Sequence, residues 1–376
     1  MKVLLYSHVF HPSTGGVETV SRTLAEGLAK RGIDFKLLTS TPAAGSDPTE
    51  FDYEVIRAPD ARAVRSLIGW ADVVLFNGAS LALQPALLLS RKPFVWVHVG
   101  YQVSCIDGLG WVDGEPAPRT PWASVAFHAR RSGPARAAIE GLKLALRRLV
   151  ARHFVDRHVA ITQWMDKAQP LARQVQIYNP FPIDRFRAAA PASQALYDFV
   201  YLGRMVSEKG VDTLIQAFAR VVGQASVKPN LLLIGDGDRM AQMQQLARTL
   251  GVEDSVHFAG RQSGRALVDW VGRGAVGIVP SAWEEPMGGV AIELMAAGRG
   301  LIVSERGGLA ECAGDAGLLF PNGDEVALAD CMLRILAEPQ LRHTLSQRAL
   351  LRAERFAPER FVDQYIDLLR ATASGG

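Results

Sequence analysis

Cysteine is scarce in this chain. There are three in 376 residues, Cys105, Cys312 and Cys331, an odd number and widely spaced. A disulfide framework is therefore excluded, and no Cys pair or Cys/His cluster has the spacing of a zinc site. The three read as buried small hydrophobes in a reducing compartment. Long apolar runs are missing too. Nothing approaches the ~18 continuous apolar residues of a membrane span. The opening MKVLLYSHVF has one lysine and too short an apolar run for a signal peptide. The chain reads as cytosolic. It has no repeat of short fixed period and no low-complexity segment. Its first strand is not followed by G-x-G-x-x-G, which counts against an NAD oxidoreductase.

What is present is a globular composition, 48% hydrophobic, long enough for two domains. The net charge of +3 conceals an asymmetry: residues 1–180 carry +6 and residues 181–376 carry −3. The excess lies between Arg119 and Arg157, where nine basic residues meet only Glu140 and Asp156. Either this is a solvated basic face, or the first half meets an anionic partner such as a membrane surface through residues 119–157. Within it, GLKLALRRLVARHF places Leu142, Leu146, Leu149 and His153 at helical spacing with arginines between, as in an interfacial helix.

Strands and helices alternate along the chain. KVLLYS, FKLLTS, ADVVLFN, PFVWVHV and HVAIT read as buried strands, and VETVSRTLAEGLAKRG as a helix closing on Gly32. IYNPFPIDRF, with two prolines and no helical period, reads as a linker. The pattern then restarts with DFVYLGR, NLLLIGDG, SVHFAG, AVGIVP and GLIVSE as strands. Such alternation predicts parallel sheets covered by helices. The expected domains are 1–180, 181–358 and a C-terminal helix and tail, 359–376, packing back towards the N-terminal domain. Ligands of such sheets bind beyond the carboxyl ends of the strands, so the loops after strands carry the function.

In EEPMGGVAIELMAAG, Gly288 and Gly289 open a helix whose free amides suit an anion. Glu285 precedes those amides, and Glu293 sits on the helix in a run with no other charge. A carboxylate buried there needs partners, such as the paired hydroxyls of a ribose or a neighbouring loop. In YLGRMVSEKG, Arg204 and Lys209 flank one strand-to-helix loop, as a diphosphate requires, or Arg204 forms a surface pair with Glu208. HPSTGG places Gly15 and Gly16 in a phosphate-type turn that is also an ordinary structural turn. His98 ends PFVWVHV and suits either a sugar hydroxyl or a satisfied core position. His8 and His11 lie in the first loop and line the same region. Asp236 and Asp238 resemble a metal pair but sit in a turn where Asp is ordinary.

In its second half the ordered set GR…EKG, IGDG, PS…E-x7-E, LMAAG and SERGG resembles retaining glycosyltransferases of family 4. The resemblance implies the GT-B fold, an α/β architecture of two facing Rossmann-like doubly wound domains with a cleft between them. It implies transfer of a sugar from a nucleotide-diphosphate sugar to an acceptor hydroxyl with retention. UDP is favoured as the nucleotide, with GDP-mannose the other candidate. It implies catalytic roles for Arg204, Lys209, Glu285 and His98. Donor contacts are implied for Gly15, Gly16, Met287, Gly288, Gly289, Val290, Glu293 and Arg261. No metal or cofactor is implied. The acceptor is expected to be a sugar or a lipid-linked sugar of surface polysaccharide or glycolipid synthesis, with the protein in the cytoplasm or peripheral on the inner membrane face. No nucleic acid is expected. The rivals are a nucleotide-sugar 2-epimerase and a binding protein without turnover. Two departures stand out. Pro286 replaces a residue with an N–H, and Val99 follows His98 where many relatives have Asp. YQVSCIDGLGWVDGEPAPRTPW reads as a long loop that shapes acceptor choice.

Overall fold

The structure, a computed structural model, describes residues 1–13, 15–43, 51–78 and 84–375. Thr14, inside the predicted glycine turn, and Gly376, the last residue of the predicted tail, lie outside the described residues. The chain divides into two compact units, residues 1–181 with 357–376, and residues 182–356.

The first unit holds β1 (Lys2–Ser7), β2 (Asp34–Thr39), β3 (Val55–Arg57), β4 (Val73–Asn77), β5 (Phe94–His98), β6 (Trp111–Val112), β7 (Glu115–Pro116), β8 (Arg157–Ala160) and β9 (Gln174–Gln176). Seven of these form a parallel sheet in the order β3-β2-β1-β4-β5-β8-β9. Its helices are α1 (Gly16–Lys30), α2 (Ala61–Trp70), α3 (Gln84–Ser90), α4 (Pro121–Ser132), α5 (Pro134–His153) and α6 (Gln163–Ala168). β1, β4 and β5 are apolar on both faces because helices cover both, and their side chains are fully buried apart from Lys2. β6 and β7 pair as a small antiparallel hairpin. They lie in the stretch predicted as a plain loop, whose acceptor role stays an expectation. Gly110 and Gly114 hold positive φ around it, which a plain reading of loop composition does not resolve into a hairpin.

The second unit holds β10 (Tyr197–Leu202), β11 (Leu231–Ile234), β12 (Val256–Gly260), β13 (Gly274–Val279), β14 (Gly300–Ser304) and β15 (Gly317–Phe320). They form one parallel sheet in the order β12-β11-β10-β13-β14-β15. Its helices are α7 (Val211–Gln224), α8 (Met240–Thr249), α9 (Gly264–Val271), α10 (Gly289–Ala296), α11 (Gly308–Ala313), α12 (Glu325–Ala337) and α13 (Pro339–Ala353). Phe199, Tyr201, Leu214, Phe218, Ile278 and Met332 lie at the centre of its core. α14 (Pro358–Ala373) belongs to the first unit, where the Tyr365 hydroxyl donates to Asn179 Oδ1 at 3.1 Å and Phe361 meets the Tyr178 ring edge-on.

IYNPFPIDRF is only half a linker. Its later part forms the 3₁₀ turn Ile183–Ala188, with Ile183 and Phe186 fully buried in the second unit. Prolines hide this, because a 3₁₀ turn has no 3.6-residue period to detect. The cysteine reading also needs one correction. Cys105 and Cys312 are buried and their thiol pKa values are pushed up to about 12 by burial, but Cys331 is only half-buried.

Candidate donor site at the carboxyl end of the second sheet

Both sheets reverse strand order at one place. In the second unit that switch lies between β10 and β13, neighbours whose chains lead off in opposite directions. Loops leaving such a pair diverge and open a crevice at the strand carboxyl ends. Arg204 and Lys209 stand on the loop after β10, and Ser281 to Gly288 follow β13.

The two loops are stitched together. The Ala282 N–H donates to Glu208 O at 3.0 Å. Gly210 has φ +64°, and a Cβ there would lie 2.0 Å from Pro280 O, so only glycine lets the loops approach. Likewise Gly235, φ +143°, lies so close to Gly203 that a Cβ would fall 1.8 Å from its carbonyl oxygen. This brings the IGDG turn onto the Arg204 loop, where Met205 N–H donates to Asp236 O at 2.9 Å. Under them the buried Tyr201 hydroxyl donates to Arg204 O at 2.8 Å, and burial raises its pKa.

Within this frame Lys209 Nζ lies 2.6 Å from Glu285 Oε1, and Ser281 Oγ donates to the same oxygen. Both contacts fall on Oε1, which leaves Oε2 of a buried carboxylate for a hydroxyl donor. Lys209 also sits over the Trp283 ring at 5.8 Å. Arg204 reaches the buried Glu208 at 3.3 Å, yet its side chain is 66% exposed, so its guanidinium keeps donors for a ligand. The predicted Arg204–Glu208 pair thus exists without consuming the arginine.

α10 begins at Gly289 with Gly288 as its cap and no capping side chain, so its first amides have no acceptor within the helix. Met287 is buried beside this turn. Gly298, φ +73°, closes the helix as the sequence predicts. Glu293 is buried and pairs with Arg185 Nη2 at 3.0 Å. Burial raises its pKa and Arg185 opposes the shift. Arg185, missed by sequence reasoning, comes from the 3₁₀ turn of the supposed linker. Arg261 is exposed just after β12. Asp236 and Asp238 are exposed in their turn, and Asp236 Oδ1 accepts from Gly237 N–H. Among the described residues no group of three or more His, Cys, Asp and Glu is placed to hold a metal ion.

The remaining predicted residues belong to the first unit. Gly15 is extended and Gly16 opens α1. The Glu18 carboxylate folds over this turn and accepts from Ser13 Oγ at 2.7 Å. It thereby occupies the position at a helix N-terminus that an anion favours. His8 faces Tyr6 Oη at 3.4 Å and His11 meets the Phe51 ring.

His98 is buried at the end of β5, stacked on Trp96, with Nε2 2.8 Å from His158 Nδ1. His158 Nε2 lies 2.9 Å from Ala151 O. A carbonyl only accepts, so His158 carries its proton on Nε2, and its bare Nδ1 accepts from His98 Nε2–H. The His98 Nδ1 lone pair is then buried with no protein partner. Burial lowers the pKa of both rings, that of His158 to about 4 and that of His98 well below its ordinary value. His98 is followed by Val99 and is oriented instead by His158, sixty positions away.

Residues 197–338 match the family model described as Glycosyl transferases group 1. The N-acetyl-alpha-D-glucosaminyl L-malate synthase of Bacillus anthracis is 32% identical over 183 residues, 47% of each chain. The lipopolysaccharide core biosynthesis glycosyltransferase LpsD of Rhizobium meliloti (strain 1021) is 33% identical over 210 residues, 54% of this chain and 58% of that one. The chain thus spans about half the length of the curated relatives it matches. Among solved structures, Anabaena HepE in complex with UDP-glucose superposes with a TM-score of 0.74 at 19% identity, covering 99% of this chain and 100% of that one. The sucrose-phosphate synthase of Thermosynechococcus elongatus gives 0.75 at 20% identity, over the whole of both chains.

Proposed function

We propose that this chain, a member of the GT-B glycosyltransferases by its fold and its group 1 sequence, moves a sugar from a nucleotide-diphosphate sugar to an acceptor hydroxyl with retention of configuration. The observation that carries the reading is the Lys209–Glu285–Ser281 cluster, with Arg204 at its rim, where β10 and β13 diverge. It sets two cations beside one carboxylate at the place where an open parallel sheet binds ligands.

Arg204 and Lys209 hold the diphosphate and stabilise the charge that grows on it as the bond from the anomeric carbon breaks. We assign this counter-charge to the two side chains and not to a metal ion. The free α10 amides meet phosphate or sugar oxygens. Glu285, with Oε2 uncommitted, accepts from sugar hydroxyls, and Glu293, held by Arg185, accepts from the ribose. Gly15, Gly16, His98 and Arg261 are further donor contacts in this reading. The anomeric carbon–phosphate oxygen bond breaks and a bond to the acceptor oxygen forms on the same face. The acceptor proton passes to the departing phosphate oxygen. UDP is the favoured nucleotide, in keeping with the UDP-glucose in the HepE complex. A sugar or lipid-linked acceptor of surface polysaccharide synthesis is in keeping with the relative from lipopolysaccharide core synthesis.

The test is a panel of UDP- and GDP-sugars, scored by ligand-observed binding and by nucleotide release with and without lipid-linked acceptors. The reading expects binding of one nucleotide class and release that rises with acceptor. Release of an epimerised sugar from donor alone would replace transfer with epimerisation.

A further inference from the structure

α5 has two apolar faces. Ala137, Leu144, Val150 and Ala151 are buried in the first unit. Ile139, Leu142, Leu146 and Leu149 are 59, 62, 48 and 50% exposed. At 3.6 residues per turn these four fall within an arc of about 80°. Arg136 and Lys143 border one edge of that arc and Arg148 and Arg152 the other. Glu140 is the only acid on the helix, and it is spent on Lys143 at 2.7 Å. On the Arg152 side a cavity of about 620 Å³ opens, lined by Ser104, Arg148, Leu149, Arg152, His153 and Leu171. An ordinary surface helix has one apolar stripe, facing the core. A second stripe between two rows of cations is suited to a layer that is apolar within and anionic at its surface.

We propose that α5 lies in the interface of a bilayer containing anionic lipids. Ile139, Leu142, Leu146 and Leu149 enter the acyl region, the flanking cations stay at headgroup level, and the cavity takes one lipid phosphate. Self-association through this face would set two rows of cations against their copies. A nucleic acid would meet the cations but leave four aliphatic side chains without an apolar partner. The proposal stands on α5 alone and does not depend on sugar transfer.

Flotation with vesicles of phosphatidylcholine containing about 30 mol% phosphatidylglycerol, against phosphatidylcholine alone, tests it. The expected result is binding to the anionic vesicles at least about tenfold tighter than to the neutral ones, weakened at high salt. Leu142→Glu/Leu146→Glu lowers binding at least about tenfold with an unchanged melting temperature. Arg152→Glu lowers it about fivefold or more, and inorganic phosphate at millimolar concentration leaves it within about twofold. Equal binding to both vesicles, or wild-type binding by the double Glu variant, would overturn the proposal. So would a dimer that the double variant abolishes while vesicles capture nothing. Loss of vesicle binding on adding inorganic phosphate would assign the cavity to a soluble anion and overturn the headgroup site.

Discussion

Lys209 and Arg204 carry the same charge in different settings, and the difference separates stability from turnover. Arg204 is mostly exposed, so Arg204→Ala should change unfolding free energy by less than about 0.5 kcal/mol. Its kcat for nucleotide release should nevertheless fall by about a hundredfold or more, as for loss of one preorganised charge donor. Lys209→Met leaves the buried Glu285 carboxylate without its cation and should cost about 3 kcal/mol in urea unfolding. Adding Glu285→Gln should restore much of that stability but not activity. The two histidines give a pH signature. Folding lowers both pKa values, so below about pH 6.5 the unfolded chain binds protons that the folded chain does not. Stability therefore falls as pH drops from about 6.5 towards 4, by about 1.4 kcal/mol per unit for each ring. His158→Gln should remove one ring's share, read as a shallower slope of urea midpoint against pH. Of these residues, Arg204, Lys209 and Glu285 were legible in the sequence because they flank strand ends. Ser281, Arg185 and His158 were not. Each acts on a partner through the fold, and Arg185 meets Glu293 across 108 positions.

Among elements, the loops after β10 and β13 depend on glycine for their fit. Gly210→Ala combines a positive φ with a clash against Pro280 and should destabilise by about 2 kcal/mol or more while weakening nucleotide binding. Gly16→Ala is the contrasting case. A Cβ there meets nothing, and alanine suits a helix better, so stability should hold or rise by up to about 1 kcal/mol. If the α1 turn approaches the diphosphate, donor affinity in that variant drops all the same, by titration calorimetry. The long apolar strands were legible because a parallel sheet buries both faces of each. β3 and β9 escaped notice because they are three residues long, half-buried, and in β9 two of three are Gln. The unit boundary falls inside the predicted linker, but the linker's later half reads as irregular for a related reason: its buried Ile183 and Phe186 are spaced for a 3₁₀ turn, which the prolines beside them disguise.

Over the whole molecule, two parallel sheets with the same kind of switch point carry opposite charge balances, +6 over residues 1–180 and −3 beyond. The second half reads most clearly because Arg204, Lys209 and Glu285, the proposed donor contacts, lie on loops that follow strands of one sheet. The first half reads less clearly because its β6–β7 hairpin is made by positive-φ glycines in a stretch whose composition alone suggests a loop. Donor binding should stabilise residues 182–356 by about 2.7 kcal/mol at a hundredfold excess over Kd. In hydrogen exchange it should protect 203–210 and 281–290 before other loops. The most direct test is a crystal structure of the chain with UDP-glucose bound. The account predicts diphosphate oxygens about 3 Å from the Arg204 guanidinium and Lys209 Nζ, beyond the ends of β10 and β13. A diphosphate bound elsewhere, with Lys209 still paired only to Glu285, would contradict it.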